Sequence, residues 1–407
     1  MTTRPTSLEL FAGAGGLALG LERAGFEHLA LVEWDRRACE TLRANAGKAA
    51  QWAPEVIIES DAALLDYASF NGVDLVAGGV PCQPFSLGGI HRGDVDRRNQ
   101  FPVLLQAVRS ARPKAVLVEN VPGILRPAFR PYFEYIVDQL RLPEVRPADA
   151  EDWRSHRRRI WSELARRDPE YMVDWHLINA ADFGAPQRRV RVLIQAIRSD
   201  VEQECVWPTP SHSEGRLARD LDSGVYWAEH RLPGRAALRA GLRSTRPLLG
   251  DPDVAIGRWV TVRDALVGLG SPMCVQGVEG NDHVAVPGAR VYPGHTGSLL
   301  DEPAKTLKAG VHGVPGGEAT VVLDDGSVRY FTVREAARVQ GFPDDYMFVG
   351  SRSEKMRQIG NAVAINVATA VGLELTTLLS RDHVPEPARK RMAQRPSRER
   401  SLALAPG

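Results

Sequence analysis

The stretch Val73-Asp-Leu-Val-Ala-Gly-Gly-Val-Pro-Cys-Gln-Pro-Phe-Ser86 limits the fold more than any other part of the chain. Val73, Leu75, Val76 and Ala77 make a nearly unbroken apolar run. A strand carries such a run when both faces of its sheet are covered, as in a parallel sheet flanked by helices. Gly78 and Gly79 end the run and let the backbone turn sharply at the strand's C-terminal end, where open α/β sheets bind ligands. Cys82, fixed between Pro81 and Pro84, then stands at a candidate active-site edge. A thiolate is the most nucleophilic side-chain group near neutral pH, so Cys82 reads either as a covalent catalyst or as a small buried apolar residue.

The same grammar recurs along the chain. Ser7 to Gly25 reads as strand, glycine-rich turn and helix, with Leu17, Leu21 and Ala24 on one helical face and Gly13, Gly15 and Gly16 in the turn. Such a turn lets a ligand approach the backbone, and the helix N-terminus offers free N–H groups. A second run, Leu29–Val32, ends at Glu33-Trp34-Asp35 and places a carboxylate where nucleotide-binding α/β folds hold ribose hydroxyls. That spacing suits a nicotinamide dinucleotide equally well. A third strand, Val56–Ile58, leads to Ser60-Asp61-Ala62, where Asp61 is either an acceptor for an adenine amine or an ordinary turn residue. Ala115–Val118 is a further buried strand and ends at Glu119-Asn120-Val121, so two strands deliver Cys82 and Glu119 to one sheet edge.

Composition narrows the class. The chain has 407 residues, of which 43% are hydrophobic, enough for a large core and two or three domains. Lys+Arg 51 against Asp+Glu 50 leaves a net charge of +1, so any nucleic-acid binding has to come from local patches. Cys39, Cys82, Cys205 and Cys274 are scattered, without CxxC spacing or a histidine partner, and predict neither a metal site nor disulfides. The sequence shows no signal-peptide pattern and no apolar run of membrane-spanning length, which predicts a cytoplasmic protein without membrane contact.

Pro81-Cys-Gln-Pro-Phe-Ser86 resembles the catalytic loop of the C5-cytosine-specific DNA methyltransferases of bacterial restriction–modification systems. The resemblance runs from about residue 6 to 378, apart from segments around 141–170 and 205–303. It implies a Rossmann-like, S-adenosylmethionine-dependent α/β sheet with helices on both faces, plus a smaller irregular target-recognition domain. It implies that Phe11, Gly13, Gly15, Gly16, Glu33, Trp34, Asp61, Ala62 and Pro81 hold S-adenosylmethionine, with Asn361 and Val363 completing the pocket from the far end of the chain. The family usually has Ser where Ala362 stands. It further implies that Cys82 attacks cytosine C6 and that Glu119 handles the proton at N3. The chemistry demands such a pair: C5 of cytosine is too electron-poor to take a methyl group until a thiolate adds at C6, and the charge that then gathers toward N3 needs a carboxyl group.

Later segments fit the same reading. Arg154, Arg157, Arg158, Arg159, Arg166 and Arg167 fall on an expected helix whose mixed charges suit a solvated face better than a DNA contact. Gln187-Arg-Arg-Val-Arg191 alternates, so Arg189 and Arg191 share one face. On a face away from the core they would hold the base's carbonyl oxygen and a phosphate, as the family's Gln-x-Arg-x-Arg motif implies. From Cys205 to Pro303 the periodicity gives way to Pro, Gly, Ser and Arg, the slot of the domain that reads bases in duplex DNA. Thr332 and Glu335 form an expected capping box, and Val367, Val371 and Leu378 mark a last apolar helix. The expected division is 1–200 catalytic and cofactor-binding, 205–303 target recognition, 304–380 C-terminal with 355–380 returning to the catalytic domain, and 383–407 a disordered tail. The expected partners are double-stranded DNA and a restriction endonuclease acting on the same site, with the chain itself a monomer.

Overall fold

The computed structural model describes residues 4–81, 99–232, 256–272, 282–290, 296–309 and 319–380. Cys82, Cys274 and the expected tail lie outside the described residues, as do Arg92, Arg97 and Arg98, whose polar, glycine-rich stretch reads as a solvated loop free to meet phosphates.

The apolar runs assemble into a 7-stranded sheet of order β3-β2-β1-β4-β5-β8-β6. Its strands are β1 (Thr6–Leu10), β2 (Glu27–Glu33), β3 (Ile57–Glu59), β4 (Leu75–Gly79), β5 (Ala115–Asn120), β6 (Tyr171–Asn179) and β8 (Val190–Arg198). The two-residue β7 (Gln187–Arg188) precedes β8. The first five strands pair in parallel, whereas β8 runs antiparallel between β5 and β6. The sequence reading assigned no direction to this strand. The reversal follows from the short connection between Asn179 and Val190, since a parallel return needs a crossover of about a dozen residues or more.

Burial on both faces explains the unbroken apolar runs. In β4, Val76 enters one core while Leu75 and Ala77 enter the other; in β5, Val116 and Val118 oppose Ala115 and Leu117. Helix α2 (Arg36–Asn45) follows β2, and helices α3 (Phe101–Ala111) and α4 (Arg130–Arg141) cover the first face through Leu104, Val108, Phe133 and Ile136. Helix α1 (Gly16–Arg23) and the last described helix (Ile365–Leu379) cover the second through Leu17, Leu21, Val367, Val371 and Leu378. These two helices pack closely because Gly20 and Gly372 carry no side chain: a Cβ on Gly20 would collide with Ala368, and one on Gly372 would lie 2.7 Å from Ala24 Cβ.

The expected capping box is formed, with the Thr332 hydroxyl accepting from Glu335 N–H and the Glu335 carboxylate accepting from Thr332 N–H, at the start of the helix Val333–Gln340. The stretch Arg352–Leu379 is long and apolar enough to cross a membrane by length and composition, which the sequence reading had excluded. Residues 362–364 break it into the helices Arg352–Asn361 and Ile365–Leu379, and the second lays its apolar face on α1.

Two segments stand apart from the sheet. Helix α5 (Trp153–Leu164) is capped by Asp152 and packs on α4, where Arg157 pairs with Asp138 and Glu134. Within 205–303 the described residues form more regular structure than expected, with helices α6 (Glu214–Ser223) and α7 (Val225–Glu229) around Leu217, Leu221, Tyr226, Trp227 and Trp259.

Candidate active site

The C-terminal ends of β1, β2, β4 and β5 open into one cleft of about 440 Å³. Its wall begins at the glycine turn after β1. Phe11 and Gly13 both adopt positive φ, 58° and 56°. A Cβ on Gly13 would meet nothing within 4 Å, so the backbone there faces open space. Gly15 and Gly16 do something else. A Cβ on Gly16 would sit 2.5 Å from the Val363 carbonyl oxygen, and one on Gly15 2.8 Å from Leu42 Cδ2 and 2.9 Å from the Tyr346 hydroxyl. These glycines admit the C-terminal part of the chain against the turn, and Tyr346 donates a 2.7 Å hydrogen bond to the Ala14 carbonyl.

Glu33, at the end of β2, fastens this turn. Gly13 N–H donates to its Oε2 at 2.8 Å, while Trp34 and Asp35 N–H donate to Oε1 at 2.9 and 2.8 Å. A carboxylate accepts about four hydrogen bonds, so one position is left for a ligand hydroxyl. Burial pushes the Glu33 pKa up even so. Trp34 is 77% exposed on the cleft wall, an unusual setting for so large an apolar ring and a ready platform for a flat ligand.

Of the residues expected to hold the cofactor, Phe11, Gly13, Glu33, Trp34, Pro81, Asn361 and Val363 line the cleft together. Gly15 and Gly16 support it from behind. Asp61 and Ala62 are not part of its lining; the Asp61 carboxylate caps the turn that follows it by accepting from Ala63 N–H at 2.9 Å. The cleft also contains Glu9, Asp35 and Arg357, which the sequence reading passed over. Glu9 had a visible signal: an acid in the middle of the buried strand Ser7-Leu-Glu-Leu10. Its Oε2 has no hydrogen-bond partner, and burial holds its pKa well above the usual carboxylate range. Arg357 pairs with Asp35 at 2.9 Å across the mouth.

At the deep end stands Glu119, beside Gly79 in the β4–β5 register. Asn120 donates from Nδ2 to the Val80 carbonyl at 3.2 Å and so ties the end of β5 to the residues leading to Pro81. Arg191 Nε lies 2.8 Å from Glu119 Oε1, close enough for an ion pair but without the alignment of a hydrogen bond.

Arg189 corrects the expectation. It shares a face with Arg191, but that face points inward: Arg189 is 2% exposed while Val190 between them is 41% exposed. Its guanidinium donates to the carbonyls of Leu307 at 3.0 Å, Gly360 at 2.9 Å and Ala362 at 3.0 Å. Arg189 therefore binds three distant segments of its own chain rather than a phosphate. The reason lies in the strand Ala304–Lys305, which pairs in parallel with β7 and carries Leu307 over the arginine. Desolvation lowers its pKa to about 9, so it remains a cation at neutral pH.

The exposed indole offers a flat ligand a stacking surface, the remaining Glu33 position can accept from a hydroxyl, and the open backbone at Gly13 and the orphaned Glu9 oxygen can meet polar groups. Among the described residues no cluster of histidines, cysteines and carboxylates could hold a metal ion.

Comparison with known proteins gives the family. The family model for C-5 cytosine-specific DNA methylases matches residues 6–142, 151–231 and 285–377. The type II methyltransferase M.NgoMIV of Neisseria gonorrhoeae is 34% identical over 93% of this chain and 99% of its own length. M.Eco47II of Escherichia coli is 31% identical over 92% of this chain and 80% of its own. Among solved structures, a putative DNA modification methyltransferase encoded within an E. coli prophage superposes with a TM-score of 0.55 at 21% identity, covering 93% of this chain and 100% of that one. The DNMT2 of Spodoptera frugiperda gives 0.54 at 16% identity, covering 92% and 99%. The chain belongs to the C-5 cytosine-specific DNA methylase family and is a DNA (cytosine-5-)-methyltransferase.

Proposed function

We propose that the cleft transfers a methyl group from S-adenosylmethionine to C5 of a cytosine turned out of a specific duplex sequence, through a covalent bond between Cys82 and C6. The observation that carries this reading is the convergence of Glu119 and Pro81, the residue just before Cys82, on the cleft formed by Phe11, Gly13, Glu33 and Trp34. A base inside a stacked duplex cannot reach such a cleft, which is why rotation out of the helix belongs to the proposal.

S-adenosylmethionine, when bound, supplies an electrophilic methyl group on a sulfonium centre. Phe11, Gly13, Glu33, Trp34, Asn361 and Val363 hold it, and Gly15 and Gly16 keep that wall in place. The Cys82 thiolate adds to C6 and its electron pair raises the density at C5. Glu119 supplies a proton at N3 as charge develops there, and Arg191 orients Glu119 and is placed to meet the base's carbonyl oxygen. Once C5 carries the methyl group, its proton passes to water, the freed electron pair restores the C5–C6 double bond and expels the thiolate, and N3 returns its proton to Glu119. Asn120, by holding the Val80 carbonyl, keeps Pro81 in register with Glu119.

Sequence choice is assigned to 205–303. The family model leaves 232–284 unmatched, as expected where each member reads its own bases. The proposal includes a monomeric chain that protects its site from a companion endonuclease. Bisulfite sequencing of DNA from cells expressing the protein tests the reading. Protected cytosines at one defined sequence are expected. Full conversion in cells that contain folded protein, or purified enzyme that methylates tRNA and not duplex DNA, overturns it.

A further inference from the structure

A second and much smaller cavity of about 10 Å³, which shares Glu119 and Val363 with the cofactor cleft, is lined also by Ile178, Ala180, Arg189, Arg191, Leu193, Ala364 and Val367. Three buried polar atoms on its lining residues, Glu119 Oε1, Arg189 Nε and Arg191 Nε, have no hydrogen-bond partner. Unsatisfied buried groups of this kind are rare, and three on the wall of one cavity are not explained by the ion pair alone, since the 2.8 Å approach of Arg191 Nε to Glu119 Oε1 is poorly aligned. The other walls are apolar.

We infer that this cavity is a binding site for one ordered water molecule, which accepts hydrogen bonds from Arg189 Nε and Arg191 Nε and donates one to Glu119 Oε1. The inference rests on the proposed role of Glu119 only for its consequence, not for the site itself. The volume is at the lower bound for a single water, and three polar partners is the usual number for a buried one. The chemistry matches: two N–H donors use the two lone pairs of the water, and one of its two hydrogens meets the carboxylate. The water also answers a question raised by Arg189, a buried cation whose guanidinium otherwise meets only carbonyl oxygens. Through it Arg189 becomes a positioning residue for Glu119, so the residue that ties Leu307, Gly360 and Ala362 together also fixes the carboxyl group at the reacting base. The charged groups facing Glu119 are Arg189 and Arg191 at this cavity, with Glu9, Glu33, Asp35 and Arg357 sharing the lining of the cofactor cleft.

A crystal structure of the wild-type protein, at a resolution where surface waters are clear, is expected to show one peak within about 2.7–3.2 Å of all three atoms. An empty cavity overturns the site. Val367→Ile adds roughly one methylene where the water sits, and Ala364→Val serves if that variant does not fold. The expelling variant is expected to stay folded, lose the peak, and lower the single-turnover rate several-fold with KM for DNA unchanged, because the carboxylate loses the donor that orients it. A variant that has lost the water and keeps the wild-type single-turnover rate overturns the positioning role of Arg189. If Glu119→Gln keeps full activity, the proposed function fails while the crystallographic peak still decides the water site.

Discussion

Replacing Arg189 with methionine separates two roles that the sequence alone confuses. In the structure the guanidinium makes three hydrogen bonds to carbonyls of Leu307, Gly360 and Ala362. A hydrogen bond from a charged donor contributes about 1.5–3 kcal/mol, and carbonyls left buried without a partner add to the loss. Against this stands the cost of burying the cation, which methionine removes, and the Ala362 carbonyl keeps a second donor in Gln340. The balance is a destabilisation of about 3–5 kcal/mol, a large share of the 5–15 kcal/mol typical of a folded domain. At roughly 2–4 °C per kcal/mol for large domains, the melting temperature should fall by on the order of 10 °C. Thermal melting with and without S-adenosylhomocysteine, alongside DNA titration, measures this. Cofactor affinity should fall too, because Asn361 and Val363 belong to the segment that Arg189 holds. An unchanged melting temperature together with a raised KM for DNA would show that Arg189 faces the substrate and that the tie is unimportant.

Four further outcomes are expected. Cys82→Ser should abolish methyl transfer and leave calorimetric binding of S-adenosylhomocysteine intact, because a hydroxyl has almost no anion at neutral pH; transfer within a few-fold of wild type refutes Cys82 as nucleophile. Exchanging 205–303 for the matching segment of a relative with another specificity should move the specificity with it, and an active chimera that keeps its old target contradicts the assignment. Gly16→Ala should lower both stability and cofactor affinity by pushing Val363 away, whereas Gly13→Ala should cost only about 1–2 kcal/mol of backbone strain and act chiefly on cofactor binding; equal melting curves for the two would disprove the distinction. The raised Glu9 pKa implies that its contribution to stability is present below the unfolded carboxylate range and lost as pH rises toward the folded value, so Glu9→Gln should gain stability over wild type in urea melts at pH 8 and little at pH 4. A constant difference between the two pH values removes Glu9 as the cause.

What could be read from the sequence was whatever depends on local periodicity. The last apolar helix was marked by Val367, Val371 and Leu378 and is found from Ile365 to Leu379, and the capping box at Thr332 needed only two residues at fixed spacing. The strand ends at Glu33 and Glu119 were legible because an apolar run that stops at an acid is itself a boundary. The facing of Arg189 was not legible: alternation shows that two residues share a face but not which face is inside, and that depends on Leu307, 118 residues further on. Glu9 was overlooked although an acid inside an apolar run was visible, because nothing local shows whether such a carboxylate finds a partner or stays without one.

The nearness of the last described helix to α1 has a consequence for gene order. Thr376 donates from its hydroxyl to the Ala24 carbonyl at 2.8 Å, and Arg4 donates from Nε to the Gly25 carbonyl at 3.3 Å. The two ends of the folded core thus meet at the same corner of the molecule, so a short linker can bridge them. A circularly permuted chain that starts in the exposed turn 324–327 would build its cofactor wall first and enter β1 directly from the helix that covers α1. In the natural order that wall comes almost last, and the contacts between α1 and its covering helix span more than three hundred residues. Permutation would turn the longest loop closure in the molecule into one of the shortest, and faster folding without any change in the site is the result to look for.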